Sequence, residues 1–354
     1  MATALNHYRL LGRSGLRVSP LCLGTMTFGT EWGWGSDKDE SRAVFDSYAE
    51  QGGNFIDTAN FYTSGTSETI LGELLSGRRE QFVIATKFTL MTRQGDPNAS
   101  GNHRKNIRQA LDASLKRLKT DYIDLYWLHA WDSRTPADET MRALDDEIRG
   151  GRVLYVGVSD MPAWKVAQSN TIAELRGWSR YVGLQIEYSL VERTPERDLV
   201  PMAQDLGLGV TPWSPLGGGV LTGKYSKSGG SAAAGSSSPP RYQTQGTDDW
   251  AKQKLTDRNH AIANEVAKVA KELDASAAQV SIAWLLAQPG VVSPIIGARY
   301  EKQLKDNVGS LGVRLTNDHL SRLDQVSKIE LGFPHDFLAS PMVQQITTSG
   351  AVID

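Results

Sequence analysis

Cysteine is almost absent: Cys22 is the only one in 354 residues. That excludes an intramolecular disulfide framework and any thiolate cluster for zinc or iron–sulfur, so no metal site is expected and a reducing cytoplasm fits. Long apolar runs are missing too. The N-terminal MATALNHYRLLGRSG has no stretch suited to a signal peptide, and no later run could span a bilayer, so a soluble cytoplasmic protein is expected. Neither sign of charge dominates. Lysine and arginine total 38 against 40 acidic residues, interspersed rather than blocked, which leaves no global field to gather nucleic acid or anionic lipid. No G-x-G-x-x-G follows a candidate strand, so a Rossmann dinucleotide site is not indicated. Residues 218–224 fit the first part of a nucleoside-triphosphate loop, but Tyr225 follows where a magnesium-binding Ser or Thr is required.

What is present is a repeat of short apolar or β-branched runs, each followed by helical periodicity. The candidate strands are residues 21–26, 54–59, 82–87, 122–129, 155–160, 183–189, 209–215 and 291–297, eight in all. Between them lie helix-like stretches such as ESRAVFDSYAEQG, NIRQALDASLKRL and ETMRALDDEIRGG, the first and third ending at glycine. Eight β/α units in a chain of this length suggest a (β/α)₈ TIM barrel occupying residues 1–354 as one domain. HYRLLGRSGLRVS, before the first strand, reads as a hairpin around Ser14-Gly15 closing the bottom of the barrel. Residues 226–250, rich in Gly, Ser, Ala and Pro, read as a flexible loop after strand seven.

In such barrels, catalytic groups gather at the C-terminal ends of the strands. Asp57 ends strand two, Lys87 ends strand three, His129 ends strand four, and Tyr62 lies in the loop after strand two, so the four are expected on one rim. Each also has a structural reading: Asp57 as a helix cap, Lys87 as a solvated strand end, His129 as a satisfied structural residue. Together they suit carbonyl reduction. Hydride delivery leaves negative charge on oxygen, which needs an acid, and Tyr62 can serve. A cation at about 4 Å in an effective dielectric near 20 offers on the order of 4 kcal/mol, enough to lower a phenol from about 10 by roughly two units before desolvation is counted. Asp57 would keep Lys87 charged.

These four residues, with GTMTFG, VGVSD, LQIEYSL, WSPLGGGVLTGK and PIIGAR in order, make the chain resemble the aldo-keto reductase superfamily over nearly its whole length. The resemblance is closest to a bacterial and fungal branch that includes aryl-alcohol-dehydrogenase-like enzymes and relatives of the potassium-channel β subunit. It implies NADPH (NADH less so), a carbonyl or alcohol substrate that is aromatic or bulky, and His129 as a donor orienting the carbonyl oxygen. It also implies cofactor contacts from Gly24, Thr25, Met26 and Asp57, with Trp213 under the nicotinamide and Ser159, Asp160 and Gln185 at its carboxamide. Ser214, Leu216, Gly217, Gly219 and Lys224 would follow the pyrophosphate, and Gly297, Arg299, Gln303 and Asn307 the 2′-phosphate end. Two positions depart from the pattern: Gly297 stands where many members carry lysine, and Asp160 where asparagine is usual. Phe28, Trp32, Trp34, Phe88 and Trp131 are the expected substrate-pocket residues. A Schiff-base lyase using Lys87 as nucleophile, or a regulatory subunit that binds the cofactor, are the alternative readings, and an oligomer is not indicated.

Overall fold

The computed structural model describes residues 3–225 and 253–351. The loop expected at residues 226–250 lies outside the described residues. Eight parallel strands run in the order β10-β3-β4-β5-β6-β7-β8-β9: β3 Cys22–Gly24, β4 Phe55–Asp57, β5 Val83–Phe88, β6 Ile123–Leu128, β7 Val153–Ser159, β8 Tyr181–Glu187, β9 Gly209–Trp213 and β10 Ile295–Gly297. A parallel bridge between Val210 and Val291, with Val292 N donating to Val210 O at 2.8 Å, brings the two edges together. The result is a nearly closed (β/α)₈ barrel, as expected.

The eighth expected strand, residues 291–297, is divided. Val291 and Val292 pair with β9, whereas Ile295 onward pairs with β3, and Ser293-Pro294 lies between. Proline has no N–H to offer a ladder, so the chain changes partner there. The three helix-like stretches form α1 Lys38–Glu50, α3 Arg104–Leu118 and α4 Ala137–Arg149, and the short α2 Thr66–Leu74 precedes β5. A reciprocal capping box between Asp37 and Glu40 starts α1.

The hairpin, β1 Arg9–Leu10 with β2 Arg17–Val18, packs under the barrel. Arg13 N donates to Gly207 O at 2.8 Å, and Gly12, at φ 58°, sits so close to Gly207, Gly209 and Val182 that any Cβ would lie within 2.6 Å of their backbone. Glycine is therefore required at this contact.

Inside the barrel, Phe55, Val83, Ala85, Leu125, Trp127 and Ile295 pack together with Leu11 and Val18 of the hairpin. Trp127 fills the space that its neighbours leave. On the next two strands, Gly157 lies in register with Trp127, and Gly183 with Gly157. This large-against-small arrangement closes the lower barrel and leaves the C-terminal mouth for polar groups. Among the described residues no helix is long and apolar enough to cross a membrane.

A Cβ at Gly157 would lie 2.2 Å from the Trp127 ring. Gly157→Ala is therefore expected to lower unfolding free energy by about 3 kcal/mol, since an enclosed indole has no room to move aside. Urea denaturation followed by far-UV dichroism measures the loss.

Candidate active site

Alternation along the strands selects which side chains enter the mouth. On β5, Val83 and Ala85 belong to the interior cluster, and the same face continues to Lys87. Lys87 is 0% exposed and Asp57, at the end of β4, 2%. The ammonium donates to Asp57 Oδ1, to Thr58 O at 2.9 Å and to the Tyr62 hydroxyl oxygen at 3.0 Å. Its three protons are all engaged. Asp57 uses its second oxygen as well, accepting from Gln185 Nε2 on β8 at 3.0 Å.

Tyr62 is placed by a tight turn whose next three residues, Thr63, Ser64 and Gly65, all have positive φ (47°, 56° and 96°). Such backbone is costly for Thr and Ser, so it is held by specific bonds. Thr63 Oγ1 donates to Phe28 O at 2.8 Å and accepts from Ser67 N at 3.0 Å. His129 follows β6, its ring edge-on to Tyr62 at 5.8 Å. The structure thus brings Asp57, Tyr62, Lys87 and His129 into one cluster.

Burial acts to lower the Lys87 pKa, but Asp57 and Tyr62 outweigh it and push the group up to about 12. Burial and the charge of Lys87 hold His129 well below the ordinary imidazole range, so it is neutral. Tyr62 corrects an expectation. Lys87 does pull its pKa down, yet burial acts more strongly in the other direction, and the phenol sits above its ordinary value. The cation alone does not make a ready phenolate; it compensates part of a desolvation penalty.

The residues expected around a cofactor surround this cluster at the C-terminal strand ends. Gly24, Thr25 and Met26 follow one another at the top of β3, where the buried Thr25 hydroxyl donates to Asp57 O at 3.1 Å and lies 2.8 Å from Ser67 Oγ on α2. Ser159 ends β7, and Asp160 next to it accepts the Trp213 indole N–H at 3.1 Å. Beyond β9, Ser214 and the successive glycines 217, 218 and 219 all have positive φ, and Leu216 and Lys224 belong to the same turn region. Past β10 and Gly297, Gln303 Oε1 accepts from Arg299 N at 2.9 Å and Asn307 donates to Gly297 O at 3.2 Å, so one face of the helix Glu301–Gly309 braces this loop. Gln185, expected at a carboxamide, commits one Nε2 proton to Asp57, which leaves its other N–H and Oε1 to be offered.

Two expected pocket residues lie elsewhere. Phe88, 0% exposed, packs on Tyr126 at 4.9 Å between sheet and helices, because it is one residue out of phase with Lys87. Phe28 is likewise in that core and contributes only its carbonyl. Trp32 stays at the mouth, 6.3 Å from the Tyr62 ring and 5.6 Å from the mostly buried Trp34. Trp131 meets Trp164 at 6.1 Å on the other side. Phe61, 5.8 Å from Trp32, and the exposed Trp164 were missed, as was the contact of Gln185 with Asp57. Phe61 precedes Tyr62, and Trp164 lies a few residues beyond a strand end; that position on the rim was the available signal.

The sequence model of the Aldo/keto reductase family matches residues 20–328. A norsolorinic acid reductase of Emericella nidulans is 37% identical, over 94% of this chain and 85% of that protein. An uncharacterized oxidoreductase of Bacillus subtilis is 38% identical, over 90% of this chain and 95% of its own. An aryl-alcohol dehydrogenase of Pestalotiopsis microspora is 34% identical, over 94% and 85%.

The folded lysine value, about 12, lies above the ordinary 10.5, so the stability this pair contributes is complete below the ordinary value and lost as pH rises through the folded one. Near neutral pH, Lys87→Met is expected to cost about 3–5 kcal/mol by leaving Asp57 buried without its cation, and Asp57→Asn on that background to restore much of it. Denaturant unfolding of the two single variants and the double variant checks this.

Proposed function

The chain belongs to the aldo/keto reductase family, and from that premise we propose that it reduces aromatic or bulky aldehydes and ketones to alcohols, reversibly, with NADPH as cofactor and Tyr62 as general acid. As a family member it is an oxidoreductase acting on carbonyl and CH–OH groups. One observation carries the mechanism: Lys87 donates to the Tyr62 oxygen at 3.0 Å while Asp57 and Thr58 O take its other protons. The phenol oxygen then accepts from the lysine, and its own proton is available to a carbonyl oxygen.

When bound, NADPH supplies hydride to the carbonyl carbon. Tyr62 gives its proton to the oxygen as negative charge grows there, and Lys87 stabilises the phenolate left behind. His129 Nδ1 is buried without a partner, so a proton there would be orphaned; placing it on Nε2 avoids that unpaired N–H and makes a donor for the substrate. Lys87 suits this role better than that of a Schiff-base nucleophile. An amine held protonated, with all three N–H bonds committed, has no lone pair to offer.

The residues present fit a nicotinamide dinucleotide. Glycines 217–219, with φ of 56°, 65° and 97° and their own N–H groups held by Ser214 and Leu216, would leave no side chain between the turn and the phosphates, and Lys224 beside Gly219 adds charge. Trp213 would carry the ring, with Ser159, Asp160 and Gln185 at the carboxamide and Gly24, Thr25, Met26 and Asp57 lining the floor. Arg299, just before the helix Glu301–Gly309, with Gly297 at the end of β10 and Gln303 and Asn307 on that helix, favours a 2′-phosphate and hence NADPH. Trp32, Trp34 and Phe61 on one side and Trp131 and Trp164 on the other suit an aromatic substrate.

Tyr62→Phe is expected to lower NADPH-dependent reduction of aromatic aldehydes by about 10²- to 10⁴-fold while NADPH binding, followed by protein fluorescence, is retained. Since burial keeps the phenol protonated through neutral pH, wild-type reduction should be level there and decline on the alkaline side. Steady-state rates across a pH series measure both.

A further inference from the structure

The proposed cofactor site contains one group whose charge the family pattern does not call for. Asp160 follows β7 in left-handed backbone at φ 46°, its main chain fixed by Trp131 N donating to its carbonyl at 3.2 Å. Its Oδ1 takes the indole N–H of Trp213 at 3.1 Å. Asparagine could accept that bond equally well through its own Oδ1. What aspartate adds is therefore not the hydrogen bond but a negative charge, tied to the edge of the ring proposed to support the nicotinamide.

Hydride transfer changes the charge of that nicotinamide. The reduced ring is neutral; once a hydride, one proton with two electrons, has gone to the carbonyl carbon and the Tyr62 proton to the oxygen, the ring is a cation. A fixed carboxylate beside it distinguishes the two states, whereas an amide scarcely does. We infer that Asp160, anchored on Trp213, biases the bound cofactor toward its oxidised form, making the enzyme-held couple a stronger reductant than an asparagine at this position would. This rests on the cofactor reading above and deepens it.

The surroundings make the bias dependent on pH. Asp160 is open to the mouth, but desolvation by the protein around it, with a contribution from Glu187 on β8, pushes it up to about 6 against the opposing pull of the Trp213 indole, Lys87 and Ser159. The charged and titratable groups facing it are Glu187, itself paired with Lys254 at 2.7 Å, Lys87 on β5 and the Tyr62 phenol. Lys87 and Tyr62 keep one protonation state from mildly acidic to neutral pH, as does the neutral His129 nearby in the cluster. The carboxylate is present above its own pKa, so the preference for the oxidised form exists there and fades as pH falls through it.

Dissociation constants of NADP⁺ and NADPH for the full chain, from quenching of tryptophan fluorescence at pH 8 and pH 5, test this in the wild type and in Asp160→Asn. The ratio Kd(NADPH)/Kd(NADP⁺) is the readout. Ionisation of the 2′-phosphate occurs in both forms and drops out of it. At pH 8 the wild-type ratio should exceed that of Asp160→Asn by about tenfold, and at pH 5 it should approach the variant's, which stays constant. Equal ratios in the two proteins at pH 8, with both cofactor forms binding, would overturn the inference and leave the cofactor reading intact. Failure of the wild type to bind either form would overturn both.

Discussion

A charged lysine with no access to water is the constraint around which the barrel mouth is arranged. Removing an ammonium from solvent costs several kcal/mol unless its protons and charge are met, and for Lys87 three acceptors from one short stretch meet them: the Asp57 carboxylate, the Thr58 carbonyl and the Tyr62 oxygen. Once the lysine is satisfied in this way its neighbours lose their freedom. Asp57 must face β5, and Tyr62 must hold its oxygen toward the lysine. The strained turn of Thr63, Ser64 and Gly65 is a consequence, since the chain has to reverse immediately after placing the phenol and before α2 begins.

The rest of the fold divides into a closed end and an open one. At the bottom the hairpin approaches so closely that only glycine fits at residue 12, and Trp127 fills the interior against Gly157 and Gly183. That packing excludes water beneath the ion pair and keeps the local dielectric low, which strengthens both the attraction of Asp57 for Lys87 and the penalty on any unpaired charge. The same low dielectric explains two features of the mouth. His129 is neutral and Tyr62 is protonated beyond its ordinary range. Each is desolvation acting on a different kind of group, with the charge of Lys87 acting on both.

Seen from the lysine, the family pattern and this chain's departure from it are complementary. In the proposed reaction the buried ammonium would handle the charge left on the phenol, and Asp160 would face the charge of the other sign on the cofactor. The two groups lie at the ends of β5 and β7, separated by β6 and His129. A site with a fixed countercharge for each product of hydride and proton transfer needs little reorganisation as the reaction proceeds.

Much of this was legible along the chain. Eight apolar runs, their connecting helices and the polar residues at strand ends specify a (β/α)₈ barrel and place Asp57, Tyr62, Lys87 and His129 on one rim, because strand period and strand end are local properties. What depends on more than one segment was not legible. Phe88 looked like a pocket residue until strand phase turned it toward the helices, Phe28 until packing enclosed its ring, and the last strand looked continuous until Pro294 divided its partners. Gln185 reached Asp57 across the barrel, a contact between residues 128 positions apart. The direction of the Tyr62 shift was a tertiary decision too. The attraction of Lys87 can be anticipated from proximity, but the desolvation that outweighs it exists only when the whole barrel mouth has displaced the water.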